Sequence, residues 1–540
     1  MTGRLHFANI FTEIAGRFGG DPALAHAGAT WTWSAFHDEA ARFASFLASV
    51  GVGPGDRVGL LLHNSPTYLI AQYGAFLRRA VPVNVNYRYL DDELAYLAND
   101  SAMTVLVAEA GLAERVRTIR PRVPSLRQLV IVGGEDFAVD PRAESTWAES
   151  LRTYDPVATL RGSDDDVYML YTGGTTGMPK GVMFRMGDFV RRMFTGYTYR
   201  GWDLPSPETL LEHITAHRHA GDRRVSIPAC PLMHGTGMWL GAFYAHLMGG
   251  CVVTLANRSF DADELWRTAS AVGADAVTIV GDAFARPMLD ALDRAFDEGR
   301  PYDLSALQII QSSGVMWSAE IQTGLLRHLD VRLVDSMGST EGAMARRIVT
   351  RGTPIETARF EPLPGTKLIG EDGSIVAPGS TEPGRIAASA VVPIGYFNDP
   401  EKSAATFVEI DGVRHTMAGD WAVWAEDGTL VLLGRGSHCI NTAGEKVFPE
   451  EVEEAIKRHP AVADCLVVGL PDERFGERVG AVLSLREGAA VAGPDVVLHD
   501  VKQWLAHYKL PRTSVIVGEV RRAANGKADY LWARETLGSV

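Results

Sequence analysis

Cysteine is sparse in this chain. Four residues in 540, Cys230, Cys251, Cys439 and Cys465, are scattered with no CxxC pair. That spacing argues against a disulfide framework and against a cysteine zinc site, and it suits a reducing cytosol. No run of eighteen apolar residues occurs, so no membrane span is expected. The start, Met1-Thr2-Gly3-Arg4-Leu5-His6-Phe7-Ala8, has no charged segment leading into an apolar one, so no secretory signal is expected. Positive charge is in deficit, with a formal net charge of −14. A non-specific nucleic-acid binder is thereby disfavoured, although a local basic patch for a polyphosphate is still allowed. Lysine is scarce and arginine plentiful, so Lys180 and Lys527 stand out. An arginine does not simply replace either one, because a compact ammonium and a planar fork bind phosphate differently.

What is present is apolar substance in alternating pattern. Hydrophobic residues make up 46% of the chain, enough for a large core and more than one domain. Short apolar runs at 57–62, 104–108, 129–132, 251–255, 276–280 and 331–334 read as strands. Helical patterns lie between them, as at 34–50 and 261–272. Strand–helix alternation implies an α/β fold with a largely parallel sheet covered on both faces. The stretch 203–224 is polar and rich in His, Pro and Glu, and reads as a surface insertion or mobile excursion. The best domain boundary is at 435–437, giving a large domain over 1–434 and a small α+β domain over 435–540. The small domain opens with a helix over 450–459, with Pro449 before it and Pro460 after it. Acidic residues in its first turn and basic ones in its last suit the helix dipole. Apolar runs follow at 464–469 and 479–485.

Tyr171-Thr172-Gly173-Gly174-Thr175-Thr176-Gly177-Met178-Pro179-Lys180-Gly181 is the most informative stretch. It packs three threonines, four glycines and a lysine into eleven residues, after an apolar run over 166–170 that reads as a strand. Glycines let backbone N–H groups approach an anion closely, threonine hydroxyls add donors, and Lys180 adds a mobile positive charge. Such a set can hold the phosphates of a nucleotide. It is not a Walker A loop, which ends in Gly-Lys-Ser/Thr and opens a helix; here the chain runs into Val182-Met183-Phe184, another strand pattern.

This loop resembles the phosphate-binding signature of the adenylate-forming superfamily: acyl- and aryl-CoA synthetases, peptide-synthetase adenylation domains and firefly luciferases. Further stretches resemble that family's signatures, in order. They are Asp335-Ser336-Met337-Gly338-Ser339-Thr340-Glu341, Ala418-Gly419-Asp420, Gly434-Arg435, Gly444-Glu445-Lys446 and Asn525-Gly526-Lys527. The N-terminal runs Gly53-Pro54-Gly55-Asp56-Arg57-Val58 and Val81-Pro82-Val83-Asn84-Val85-Asn86 also fit, so the likeness spans nearly the whole chain. It implies a layered, mostly parallel large domain with a small mobile C-terminal domain, and ATP-dependent activation of a carboxylic acid as its adenylate. The cofactors implied are ATP, Mg2+ and, as acceptor, CoA.

Roles follow by the same resemblance. Thr172, Gly173, Gly174, Thr175, Thr176, Gly177 and Lys180 grip the β- and γ-phosphates. Thr340 bonds the α-phosphate and Glu341 ligates magnesium. Asp335, Ser336 and Met337 border the adenine, with Ser313 and Gly314 beside them. Asp420 accepts from the ribose hydroxyls and Arg435 lies nearby. Lys527 enters the site only for adenylation, and Gly444 lines the pantetheine channel in the rotated state. His234 borders the acyl carboxylate. The acid pocket is expected to draw on Met238, Gly281-Asp282-Ala283-Phe284 and Ser313-Gly314-Val315-Met316-Trp317, whose mostly apolar side chains fit an acyl or aryl group.

Two residues depart from the usual pattern. Ser437 stands two after Arg435, where the hinge is often Asp or Lys, and Met337 stands where many members carry a stacking tyrosine. A methionine sulfur can still contact an aromatic face. Gly281-Asp282-Ala283-Phe284-Ala285-Arg286-Pro287, Gly434-Arg435-Gly436-Ser437 and the run over 527–534 resemble actinobacterial acyl-CoA ligases of steroid side-chain degradation. The bulk of Val315, Met316 and Trp317 hints at a short pocket and keeps another reading open, a diazotising relative that activates nitrous acid for attack by an aryl amine. A non-catalytic nucleotide-binding relative is a third. A homodimer is an open expectation.

Overall fold

The computed structural model describes residues 5–134, 138–156, 160–172, 178–222, 224–315, 317–442, 445–472, 476–523 and 526–538. Two large sheets dominate. The first has five strands, all parallel, in the order Val81–Asn84, Arg57–Leu61, Met103–Glu109, Gln128–Val132 and Glu144–Thr146. Parallel neighbours need long crossovers, and the helices Pro66–Leu77, Asp91–Asp100 and Ala110–Ile119 supply them. With helices on both faces, nearly every residue of Met103–Glu109 is buried, which is why the strand reads as a continuous apolar run.

The second sheet has fourteen strands among the described residues. Its centre is parallel, in the order Cys251–Thr254, Val225–Pro228, Ala276–Ile279, Ile309–Ser313 and Arg332–Ser339. The expected parallel core is therefore present in both sheets. Beyond Ser339 the pairing turns antiparallel, because only Thr340 and Glu341 separate Arg332–Ser339 from Gly342–Val349, and so short a connection can only make a hairpin. A third, smaller sheet pairs Val167–Thr172, Lys180–Arg185 and Gly395–Tyr396, all antiparallel.

The helix Trp33–Ser49 shows how sequence becomes packing. Thr32 caps it by accepting from the Ala35 N–H at 3.2 Å. Phe36, Ala40, Phe43 and Leu47 recur at helical spacing and are buried. Truncating Phe43 to alanine would cost about 3–5 kcal/mol of stability through lost burial and a cavity. The stretch 203–224 is more than a surface excursion. It holds the helix Leu210–His219, whose Leu210 and Ile214, one turn apart, are buried in the main core. Two apolar residues at that spacing were hidden among histidines.

Residues from Ile440 onward build their own sheet: Glu445–Val447, Ile440–Thr442, Gly476–Leu485 and Val462–Asp472, with Thr513–Val517 parallel to Gly476–Leu485. Along Val462–Asp472 the side chains alternate. Cys465 and Val467 join Val452 and Ile456 of the helix Pro449–Lys457. Leu466, Val468 and Leu470 meet Ala533 and Leu537 of the helix Tyr530–Gly538. Among the described residues, no helix is long and apolar enough to cross a membrane.

Candidate active site

The parallel strands Ile309–Ser313 and Arg332–Ser339 end side by side, and the space beyond their carboxyl ends is a cavity of about 560 Å³. Ligands of open α/β sheets bind at such ends. Ser313, Gly314 and the run 335–341 line it. Gly314 has φ +95°, a left-handed conformation that favours glycine. A Cβ on Gly338 would stand 2.8 Å from the Gly342 carbonyl oxygen, so the hairpin closes only without one. Thr340 and Glu341 sit at its tip. The Ser313 hydroxyl donates to the Ser336 carbonyl at 2.7 Å, and that of Thr416 to the Glu341 carbonyl at 3.0 Å. The Tyr396 hydroxyl donates to Glu341 Oε1 at 2.8 Å. Met337 is nearly buried at the wall. The Asp335 carboxyl is raised to about 7 by burial, against the pull of Arg347 3.2 Å away.

Distant segments converge on the same space. Asp420 and Arg435 are cross-strand partners, with Nε to Oδ1 at 3.3 Å. Lys527 arrives from near the C-terminus, carried by Gly526, which turns at φ +73°. A Cβ there would lie 3.2 Å from that of Ala283, so this turn rests against the N-terminal end of the helix Gly281–Asp297. Burial and then Arg435 hold the Lys527 ammonium below its usual range, while Glu341 and Asp420 act against them. His234 lines the cavity too. Burial, then the charges of Lys527 and Arg88, push it down to about 3, so its ring is neutral at pH 7 and offers a hydrogen bond rather than a charge.

Thr172 and Lys180 face each other across the Val167–Thr172 and Lys180–Arg185 hairpin. Thr172 lines the cavity but Lys180 does not; its ammonium pairs with Asp399 at 2.8 Å and lies 5.5 Å over the Tyr396 ring. Lys402 stands close enough to Lys180 to have its own pKa lowered by it. The loop Gly173, Gly174, Thr175, Thr176 and Gly177 lies outside the described residues, as does Gly444.

The acid end differs from the expected one. Met238, Phe284 and Trp317 pack into the hydrophobic cores, not the cavity, and the Gly281 N–H donates to Ser312 Oγ. Met316 lies outside the described residues. Val315 does line the cavity, joined by Val280, Trp239, Leu240, Tyr244, Tyr199 and Arg192. Residues Thr236–Phe243 form a π-helix, a widened coil often found at functional sites, and present Trp239 and Leu240. Met238 and Phe284 lie on helices and Trp317 just ahead of one, and each packs its side chain into a core.

Ser336 Oγ, Ser339 Oγ, Asp420 Oδ2, His438 Nδ1 and Glu450 Oε2 are buried with no hydrogen-bond partner among the described residues, and all five residues line this cavity. Buried polar atoms are normally satisfied. A ligand rich in hydroxyls, ring nitrogens and phosphate oxygens supplies the missing partners, so the residues fit a nucleotide. Among the described residues no group of three His, Cys, Asp or Glu could hold a metal by itself. Glu341 alone fits magnesium, which binds through one or two carboxylates plus substrate phosphates.

A layered α/β body, a smaller lobe delivering a lysine, and one cavity with a nucleotide end and an apolar end define an AMP-forming acid ligase of the acyl-CoA synthetase type. Residues 11–389 match the model of the AMP-binding enzyme family and residues 451–527 that of the AMP-binding enzyme C-terminal domain, and the chain belongs to this family. It is 38% identical to the 3-oxocholest-4-en-26-oate–CoA ligase of Rhodococcus rhodochrous, over 96% of this chain and 93% of that one. It is 39% identical to a medium/long-chain-fatty-acid–CoA/3-oxocholest-4-en-26-oate–CoA ligase of Mycobacterium marinum, over 93% and 91%. Among solved structures, ATP-bound MatB from Rhodopseudomonas palustris superposes with TM-score 0.81 at 23% identity, covering 99% of each chain. These likenesses favour acyl-CoA ligation over the nitrous-acid and non-catalytic readings.

Proposed function

We propose that this chain joins an organic acid with a largely apolar body to AMP and then passes the acyl group to CoA. In the first step an acid carboxylate oxygen attacks the α-phosphorus of ATP, and the bond to pyrophosphate breaks. In the second the CoA thiol attacks the acyl carbonyl, the C–S bond forms, the thiol proton leaves, and AMP departs. The observation that carries this reading is convergence: Lys527, Asp420, Glu341 and His234 come from four distant segments to one cavity in which buried polar atoms lack partners among the described residues.

Each residue has a task in it. Asp420 Oδ2 accepts from a ribose hydroxyl, with Arg435 fixing the carboxylate from the other side. Met337 packs on the adenine. Thr340 donates to the α-phosphate, and Lys527 offsets charge developing there. Glu341, oriented by Tyr396, holds a magnesium ion, which supplies a counter-charge to the phosphates. Lys180 leaves Asp399 for the β- and γ-phosphates, beside Lys402. Neutral His234 borders the acid carboxylate without repelling Lys527. Residues 1–434 and 435–540 act as two units, the smaller rotating between half-reactions. Arg486 with Glu320, at 2.9 and 2.8 Å, ties the lobes in the adenylating pose. The relatives' named substrates, a steroid side-chain acid and medium- or long-chain fatty acids, are the first acids to try. The four free thiols fit action in the cytoplasm.

The test is product identity. Incubation with ATP, magnesium, CoA and these acids should yield AMP and an acyl-CoA thioester by mass spectrometry. Pyrophosphate release with an acyl-adenylate that CoA never consumes would overturn the second step.

A further inference from the structure

The acid end holds a cation that the activation chemistry does not use. Arg192 lies on the helix Met186–Met193, whose Met186, Phe189, Val190 and Met193 are all buried. Its guanidinium sits 5.1 Å over the Trp239 ring and 6.0 Å over that of Phe184. Nη1 is fully buried and donates to nothing, and among the described residues the side chain makes no hydrogen bond and no ion pair. The other buried guanidinium groups are treated differently. Arg224 meets Asp275 at 3.0 Å, Arg347 meets Asp335 at 3.2 Å, and Arg522 meets Asp464 at 2.6 Å. An unpaired charge kept out of water is costly. Stacking on an aromatic ring recovers only part of that cost.

The surroundings of Arg192 are built for an anion. Tyr244 OH and Thr195 Oγ1 are 3.2 Å apart and line the same part of the cavity. Arg346 lines it as well, 5.7 Å over the Tyr199 ring, and among the described residues its side chain hydrogen-bonds only the Thr198 hydroxyl, at 3.3 Å. Among the described residues, neither guanidinium group has a carboxylate partner. His234 and Gly235 open the segment beside Lys527, and Tyr244 lies nine residues further along the same coil. At a helical rise of about 1.5 Å per residue, nine residues put at most roughly 13 Å between the two ends.

We propose that the acid carries a second carboxylate at the end opposite the activated one, and that Arg192 receives it, flanked by Arg346 and the hydroxyls of Thr195 and Tyr244. This rests on the acid-ligase reading above and narrows its substrate class to long, bifunctional acids. A guanidinium matches a carboxylate in a two-bonded fork. A neutral ketone in that place would accept hydrogen bonds but leave the charge uncompensated.

The experiment is acid-dependent exchange of pyrophosphate into ATP with length-matched acids whose far end is methyl, ketone or carboxylate. The wild-type protein should favour the carboxylate-ended acid over the methyl-ended one by roughly 10- to 100-fold in kcat/KM, the span of a charged hydrogen bond. The ratio should fall toward one in Arg192→Gln and recover in part in Arg192→Lys. A wild-type preference for the methyl end at every length would overturn the proposal, and needs no variant. So would a ketone end matching the carboxylate, or a ratio that survives Arg192→Gln. If methyl-ended acids exchange well and carboxylate-ended ones do not, only this inference falls. If no acid supports exchange, the acid-ligase reading falls and takes the inference with it.

Discussion

The two ends of the cavity are made in opposite ways. The nucleotide end holds buried polar atoms without partners among the described residues, on Ser336, Ser339, Asp420, His438 and Glu450, and a lysine from the small lobe. The acid end is aromatic and aliphatic, Trp239, Leu240, Tyr199 and Tyr244, with an arginine set among them. Unmet hydrogen bonds prescribe a ligand group by group, so the first end fits one kind of molecule. Apolar walls prescribe volume and little else, so the second end takes its selectivity from Arg192. One chain can thus keep its reaction and change its substrate by altering side chains on a few elements.

The sharpest way to break the comparison is at the nucleotide end. Lys527→Ala should slow adenylation about 100- to 1,000-fold, since one preorganised electrostatic contact is worth roughly 2.7–4 kcal/mol of barrier. Reaction of a supplied acyl-adenylate with CoA should fall far less, and rapid-quench measurement of the two half-reactions checks this. Equal losses in both would show a structural lysine. A step smaller, Asp420→Ala should raise KM for ATP about 10-fold, from one charged hydrogen bond. The wild-type penalty for 2′-deoxy-ATP should shrink in the variant; an unchanged penalty would detach Asp420 from the ribose.

Glu450 sharpens the comparison through pH. Burial, then the charge of Glu453, raises its carboxyl from 4.5 to about 8. The folded protein therefore keeps a proton that the unfolded chain releases above pH 4.5. The stability this contributes is fully present below pH 4.5 and is lost as pH rises toward 8. Glu450→Gln should flatten that part of the curve, so its Tm should drop less than the wild type's between pH 5 and pH 8. Parallel Tm profiles would contradict the assignment. The smallest effect is expected at the lobe contact. Arg486 and Glu320 form an exposed pair, worth about 0–1 kcal/mol. Arg486→Ala should slow adenylation less than about 5-fold at low salt and not at all near 1 M, where screening removes the pair anyway. A loss that persists at high salt would mean the residue acts otherwise.

The same contrast explains what could be read in advance. The strands over 57–62, 104–108 and 276–280 were legible because burial on both faces turns parallel strands into unbroken apolar runs. Asp335–Glu341, Asp420 and Lys527 were legible as motifs, since each carries its chemistry in a few adjacent residues. Arg192 was not, because an arginine beside Arg191 on a helix that also carries Asp188 looks like a solvated one. Only the packing of Phe184 from the preceding strand and of Trp239 from a distant coil buries its Nη1. Lys402 and Glu450 escaped notice for the same reason: their significance lies in neighbours from other segments. Trp317 and Met238 mislead in the other direction, as bulky residues beside motifs whose helical segments pack them into the cores. Helix Leu210–His219 was masked by composition, with two core residues carried in a polar frame.

The central claim is that this one cavity activates an acid at the expense of ATP. Pyrophosphate release from ATP and magnesium, measured across organic acids with and without CoA, tests it most directly. The account expects release that depends on the acid, is seen without CoA, and becomes sustained thioester turnover once CoA is added. ATP binding with no acid-dependent release for any member of the panel would contradict it.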